Sequence, residues 1–128
     1  MKLEFFADGL NGGPMILLYG DGPKEVTLLR NAMWTLSEGV GRRLALNGLP
    51  FVQSVDNCRL LAISAMADLG VVVRAPADFE WTLDLESWIW VNELLEPFCE
   101  QKSGVFFQYL KLNNARGPEI IYSTARAW

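Results

Sequence analysis

Four glutamates gathered in one stretch, Glu86, Glu93, Glu96 and Glu100, form the carboxylate cluster of this chain. Two carboxylates that converge on one pocket can divide the work of general acid and general base. The thiols are Cys58 and Cys99, each a conceivable nucleophile or metal ligand. Gly20-Asp21-Gly22 could cradle a phosphate where a strand runs into a helix. Asp8 and Asn11, set among glycines, offer oxygen atoms to a hard cation.

Each feature has a simpler reading that the residue types favour. The dinucleotide fingerprint needs a third glycine and a phosphate loop needs Gly-Lys-Ser/Thr, and neither follows Gly22. Pro23 also removes a backbone N–H that a phosphate would use, so the segment reads as a capping turn. Around Asp8 the alternating oxygen ladder and the closing glutamate of a calcium loop are missing, which leaves a tight hairpin turn. Cys99 stands beside Glu96 and Glu100 near a helix C-terminus, where negative charge and the helix dipole oppose thiolate formation. Cys58 opens an apolar strand and reads as a small core residue. The chain has no histidine, which removes the commonest general base and the usual activator of serine or cysteine nucleophiles. An enzyme could still use a lysine, a metal held by oxygens, or carboxylates such as Asp21 or Asp56 brought together in a cleft.

These side chains depend on the stretch Phe79 to Glu100, a strand that runs directly into a helix. Phe79, Trp81 and Leu83 alternate with Glu80 and Thr82, the period of a strand with one buried face. Asp84 is suited to cap the helix through its carboxylate, and Leu83 and Trp88 have the spacing of a hydrophobic staple. At about 100° per residue, Trp88, Val91, Leu94, Leu95 and Phe98 share one apolar arc, with Glu86, Asn92, Glu93, Glu96 and Glu100 opposite. Pro97 should end the regular helix.

Earlier in the chain, Lys2 to Ala7 and Met15 to Tyr19 read as a hairpin. A helix follows, capped by Asp21 or Gly22 with Pro23 in its first turn. Its buried stripe is Val26, Leu29, Ala32, Met33 and Leu36, and Gly39 is placed to close it in the left-handed conformation. Short strands are expected at Arg42 to Leu46, Cys58 to Ser64 and Val71 to Arg74. Val105 to Leu112 and Ile120 to about Ala127 should pair antiparallel across a turn at Asn113 to Pro118. With short connections, the expectation is an α+β fold: a single domain over residues 1–128, an antiparallel sheet of about six to eight short strands, and two helices packed on it. Each helix follows a strand and precedes further strands, which suggests two similar halves.

At 128 residues with a formal charge of −4, the chain can bury a real core and lacks the basic patch of a nucleic-acid binder. No apolar run reaches the length of a membrane span, a secretory leader is not evident, and two isolated cysteines fit a cytoplasmic protein with reduced thiols. No cofactor is implied. The most informative residues are large apolar ones outside the core arcs. Trp34 projects away from the first helix's stripe, and Ile89 and Trp90 fall among the glutamates of the second. Tryptophan is enriched at binding hot spots. The leading expectation is therefore a non-enzymatic interaction or accessory protein that presents Trp34, Glu86, Ile89, Trp90 and Glu93 to a protein partner or to its own copy. The alternative is a small-molecule binding domain, with aromatics from Phe79 to Trp90 and from Phe106 to Tyr109 lining a pocket between helix and sheet.

Overall fold

The computed structural model describes residues 1–9, 13–20, 22–100, 107–110 and 117–124. The expected roles of Asn11, Asp21 and Phe106, and the outer ends of the last two strands, lie outside these residues. Among them the fold is α+β, as the sequence pattern predicts. Two strands, β1 (Lys2–Phe6) and β2 (Met15–Tyr19), form the expected antiparallel hairpin, Lys2 opposite Tyr19. The helix α1 (Pro23–Trp34) starts from Gly22 in extended conformation with Pro23 in its first turn, and buries Val26, Leu29 and Met33. A 3₁₀ turn, Thr35–Ser37, continues it and buries Leu36. The left-handed glycine that follows is Gly41, at φ +90°, and not Gly39. The chain reverses at Gly41 because its N–H must reach the carbonyl of Ser64 (2.8 Å) as the next strand docks.

That strand is β3 (Arg43–Ala45), followed by the two-residue β4 (Gln53–Ser54) and by β5 (Arg59–Ala65). A second hairpin comprises β6 (Gly70–Ala75) and β7 (Asp78–Asp84), with Ala77 at φ +60° in its turn. It feeds α2 (Leu85–Leu95), which tightens into a 3₁₀ turn at Glu96–Cys99, where Pro97 removes an N–H from the helical ladder. The last strands are β8 (Phe107–Tyr109) and β9 (Glu119–Ser123), paired antiparallel as expected.

The strands divide between two mixed sheets, in orders β4-β1-β2-β9-β8 and β3-β5-β7-β6, instead of forming one antiparallel sheet. Parallel pairs join β1 to β4, β2 to β9 and β5 to β7. The connections explain this departure. A parallel neighbour requires a crossover connection: between β5 and β7 it is β6, and between β2 and β9 it passes through the second sheet, with α1 carrying the chain across and α2 carrying it back. With β4 set aside, β1-β2-β9-β8 and β6-β7-β5-β3 have the same pattern of antiparallel, parallel and antiparallel pairs. The chain is thus a tandem of two ββαββ units, β1-β2-α1-β3-β5 and β6-β7-α2-β8-β9. Each unit places its second strand pair in the sheet begun by the other. The two similar halves suggested by element order are real at the level of topology.

One buried cluster draws on both sheets and both helices. Phe5 of the first sheet meets Phe79 of the second at 4.8 Å between ring centroids, and Phe98 meets Tyr122 edge-on at 4.7 Å. Along β2, Ile16 and Leu18 face this cluster while Met15, Leu17 and Tyr19 join Ile121 in a smaller one. Both faces of the first sheet are therefore covered, and all five residues of β2 are buried. On the second face the Tyr19 hydroxyl donates to the buried Glu4 carboxylate at 2.9 Å.

Candidate interaction surface

The helix that carries the glutamates is fixed at its start by two carboxylates. Asp84 Oδ1 accepts from the Ser87 N–H (2.8 Å), the expected N-cap. Asp68, from the connection between β5 and β6, accepts from the Asp84 N–H (2.8 Å) and from Ser87 Oγ (2.9 Å). Trp88 then anchors the inner face. It is fully buried, meets Trp81 edge-on at 4.7 Å, and donates its indole N–H to the carbonyl of Ile63 at 3.1 Å. Val91 and Leu95 complete the buried arc, with Leu94 half-buried at its border.

Asn92 departs from expectation. It is buried, not on the solvated face, because α1 packs along this side of α2. Arg30 Nε donates to the Asn92 carbonyl at 2.9 Å, and Asn92 Nδ2 donates to the carbonyl of Trp88 at 3.2 Å. Its Oδ1 is buried without a hydrogen-bond partner among the described residues.

The outward face of α2 carries Glu86, Ile89, Trp90 and Glu93, residues that share one side of a helix at spacings of three, four and seven. Ile89 and Trp90 keep 37% and 41% of their surface exposed. With Glu86, Ser87 and Glu93 they line an open groove of about 480 Å³. Neither Glu86 nor Glu93 forms an ion pair among the described residues. Trp34, the last residue of α1, is 48% exposed, and α2 packs on the 3₁₀ turn that follows it. The five residues singled out in the sequence thus lie on two adjoining helices, all open to solvent. Large exposed apolar residues that the sequence reading did not select for this surface include Val40, Met66 and Leu69 in connections, with Met66 84% exposed, and Leu28, Val73 and Phe107 on regular elements. The signal of Val40, Met66 and Leu69 in the sequence is faint, since each is a single apolar residue in a connection.

The other candidate groups are placed apart. Glu96 and Glu100 are exposed beyond the end of α2. Gly22 serves as the helix cap, its carbonyl accepting from Glu25 and Val26. Gly9 N–H closes on the Gly13 carbonyl at 2.6 Å between β1 and β2. Asp56 is exposed in the turn before β5, left-handed at φ +50°. Among the described residues no group of three or more Cys, Asp or Glu is placed to hold a metal ion. Both cysteines are free. Burial, with a smaller repulsion from Glu4, pushes the Cys58 thiol up to about 11. Cys99 Sγ donates to the Leu95 carbonyl at 3.9 Å. The aromatics proposed for a pocket go to different places: Phe79, Trp81 and Trp88 are buried in the large cluster, whereas Tyr109 packs on the smaller one. No helix among the described residues is long and apolar enough to cross a membrane.

No protein-family model, curated protein or solved structure matches this chain.

Proposed function

We propose that this chain is a non-enzymatic protein-interaction module of the cytoplasm whose binding face is the outward side of α2, joined by Trp34. The observation that supports it is the exposure of Ile89 and Trp90 between unpaired glutamates, on a helix whose opposite side is fully packed. A partner that covers these side chains removes a large apolar area from water, and aromatic anchors of this kind supply most of the affinity at protein interfaces. The flanking carboxylates set orientation and association rate. The alternative of a small-molecule site between helix and sheet gains no support from Phe79, Trp81 and Trp88, which fill that space with one another.

The test is affinity capture from source-organism lysate with the wild type and with the Trp34→Ala/Trp90→Ala variant, together with sedimentation of each for self-association. A complex held by the wild type and lost from the folded variant supports the assignment. A complex retained in full by the variant overturns it.

A further inference from the structure

Leu28, Val73 and Phe107 are exposed singly elsewhere, but six other exposed apolar residues lie on segments that meet at one end of the molecule, and the backbone hydrogen bonds show why. The Gly41 N–H reaches the Ser64 carbonyl (2.8 Å) and the Arg42 N–H reaches Ser64 Oγ (3.0 Å), which sets Val40 beside the end of β5, where the chain runs on to Met66. Asp68 latches the 66–69 connection to the first turn of α2, and the Leu69 N–H pairs with the Thr82 carbonyl at 2.9 Å near the end of β7. The turn after Trp34 packs on α2 as well. Trp34, Val40, Met66, Leu69, Ile89 and Trp90 are therefore brought from four separate segments to the end of the second sheet where α2 begins. A scattered exposed hydrophobe needs no explanation, but a gathered set marks an interaction site.

Charge identifies the occupant. Glu38, Asp68, Asp84, Glu86 and Glu93 lie on the segments that meet here, against Arg42, Arg43 and Arg30, whose Nε is held on the Asn92 carbonyl at 2.9 Å. Glu86 and Glu93 stand two helical turns apart, about 10 Å. Against a second copy through α2, an antiparallel pairing would set Glu86 opposite the copy's Glu93, and a parallel pairing would set each glutamate opposite itself. Like charges in register suppress that association. We propose that this end of the molecule docks a basic segment of a partner protein. Its apolar side chains seat among Trp90, Met66 and Leu69, and Lys or Arg residues about 10 Å apart reach Glu86 and Glu93. Methionine suits this task because its unbranched thioether adapts to an irregular surface. The inference rests on the interaction reading above and extends its footprint to the 66–69 connection.

Random-peptide display on the immobilised full chain tests both separately. The wild type should enrich peptides with Lys or Arg on either side of an aromatic or aliphatic residue. Glu86→Lys/Glu93→Lys should retain those peptides about tenfold less, the summed loss of two solvent-exposed charge pairs, and should enrich acidic ones instead. Met66→Ser/Leu69→Ser should also reduce retention. Enriched peptides that lack basic residues, or that bind undiminished to the Met66/Leu69 variant, overturn the basic-partner inference while leaving the interaction reading intact. Peptides indifferent to Trp34→Ala/Trp90→Ala, or no enrichment at all, overturn both. Amide chemical-shift mapping of the best peptide on the unmodified protein locates the surface without a variant: perturbations should centre on residues 66–69 and 86–93, and perturbations elsewhere count against the proposal.

Discussion

Gly117 stands at φ +90°, and a β-carbon there would lie 1.9 Å from the carbonyl oxygen of Val71, a backbone atom that cannot swing aside. Gly117→Ala should therefore cost about 2 kcal/mol or more, through strain and displacement of β6. Gly39 is the informative contrast, since its φ is not positive and an added β-carbon would meet nothing within 4 Å. Gly39→Ala should be neutral or stabilising by up to about 1 kcal/mol, because it restricts only the unfolded chain. Urea denaturation of the two variants checks the pair. At Cys58 the unfolded thiol titrates near 9.0 and the buried one at about 11. Between those values the folded protein keeps a proton that the unfolded chain has released. Stability attributable to this thiol is thus intact below pH 9 and declines as the pH rises toward 11. The urea midpoint should fall over that window, and that of Cys58→Ala should fall less. Such positions differ in how far the sequence reveals them. The cap at Asp84 and the stop at Pro97 are visible because the chemistry is local. The burial of Asn92 and the need for glycine at 117 are not, because each depends on a segment distant in the chain: α1 in one case, β6 in the other.

At the scale of elements, α2 owes its start to a shared arrangement in which Asp84 and Asp68 both bind Ser87. Asp84→Ala should lower stability by about 1 kcal/mol, the usual worth of a helix cap. Asp68→Ala should cost a comparable amount, since it leaves the Asp84 N–H without its acceptor. A double-mutant cycle monitored by denaturation should show the two losses to be non-additive, because both act on the same helical turn; strict additivity would contradict the shared arrangement. Strand and helix identities were legible because alternation in β7 and the 3.6-residue period in α2 are each written within a few residues. Pairing was not. Consecutive strands suggest consecutive neighbours, yet β7 lies between β5 and β6, and no property of Arg59–Ala65 names Asp78–Asp84 as its parallel partner. The candidate surface was legible on the helices for the same reason, and illegible at Met66 and Leu69, where no period distinguishes an exposed apolar residue from a buried one.

At the scale of the whole molecule, the two ββαββ units are mutually dependent, since each sheet contains strands of both. A chain ended at Glu100 lacks β8 and β9, leaving β2 unpaired along one side and the smaller cluster without Ile121. Such a chain should lose cooperative unfolding altogether, not merely stability, as circular dichroism and tryptophan fluorescence would show by a broad, non-coincident transition. A truncated chain that still unfolds in one sharp step would mean that the units are separable.

The exchanged strands also impose a schedule on synthesis. Met15 pairs with Glu119 and Tyr19 with Ser123, so β2 emerges from the ribosome long before its parallel neighbour exists. At about 5–20 residues per second, on the order of a hundred intervening residues take roughly 5 to 20 s to add. During that interval five consecutive apolar or aromatic residues, MILLY, have one open edge, and the face that carries Met15, Leu17 and Tyr19 lacks Ile121. An uncovered edge of this kind pairs readily with other chains, so the nascent protein passes through its most aggregation-prone state before release. Its yield in the cell should accordingly respond to translation speed and to chaperones that shield extended apolar segments.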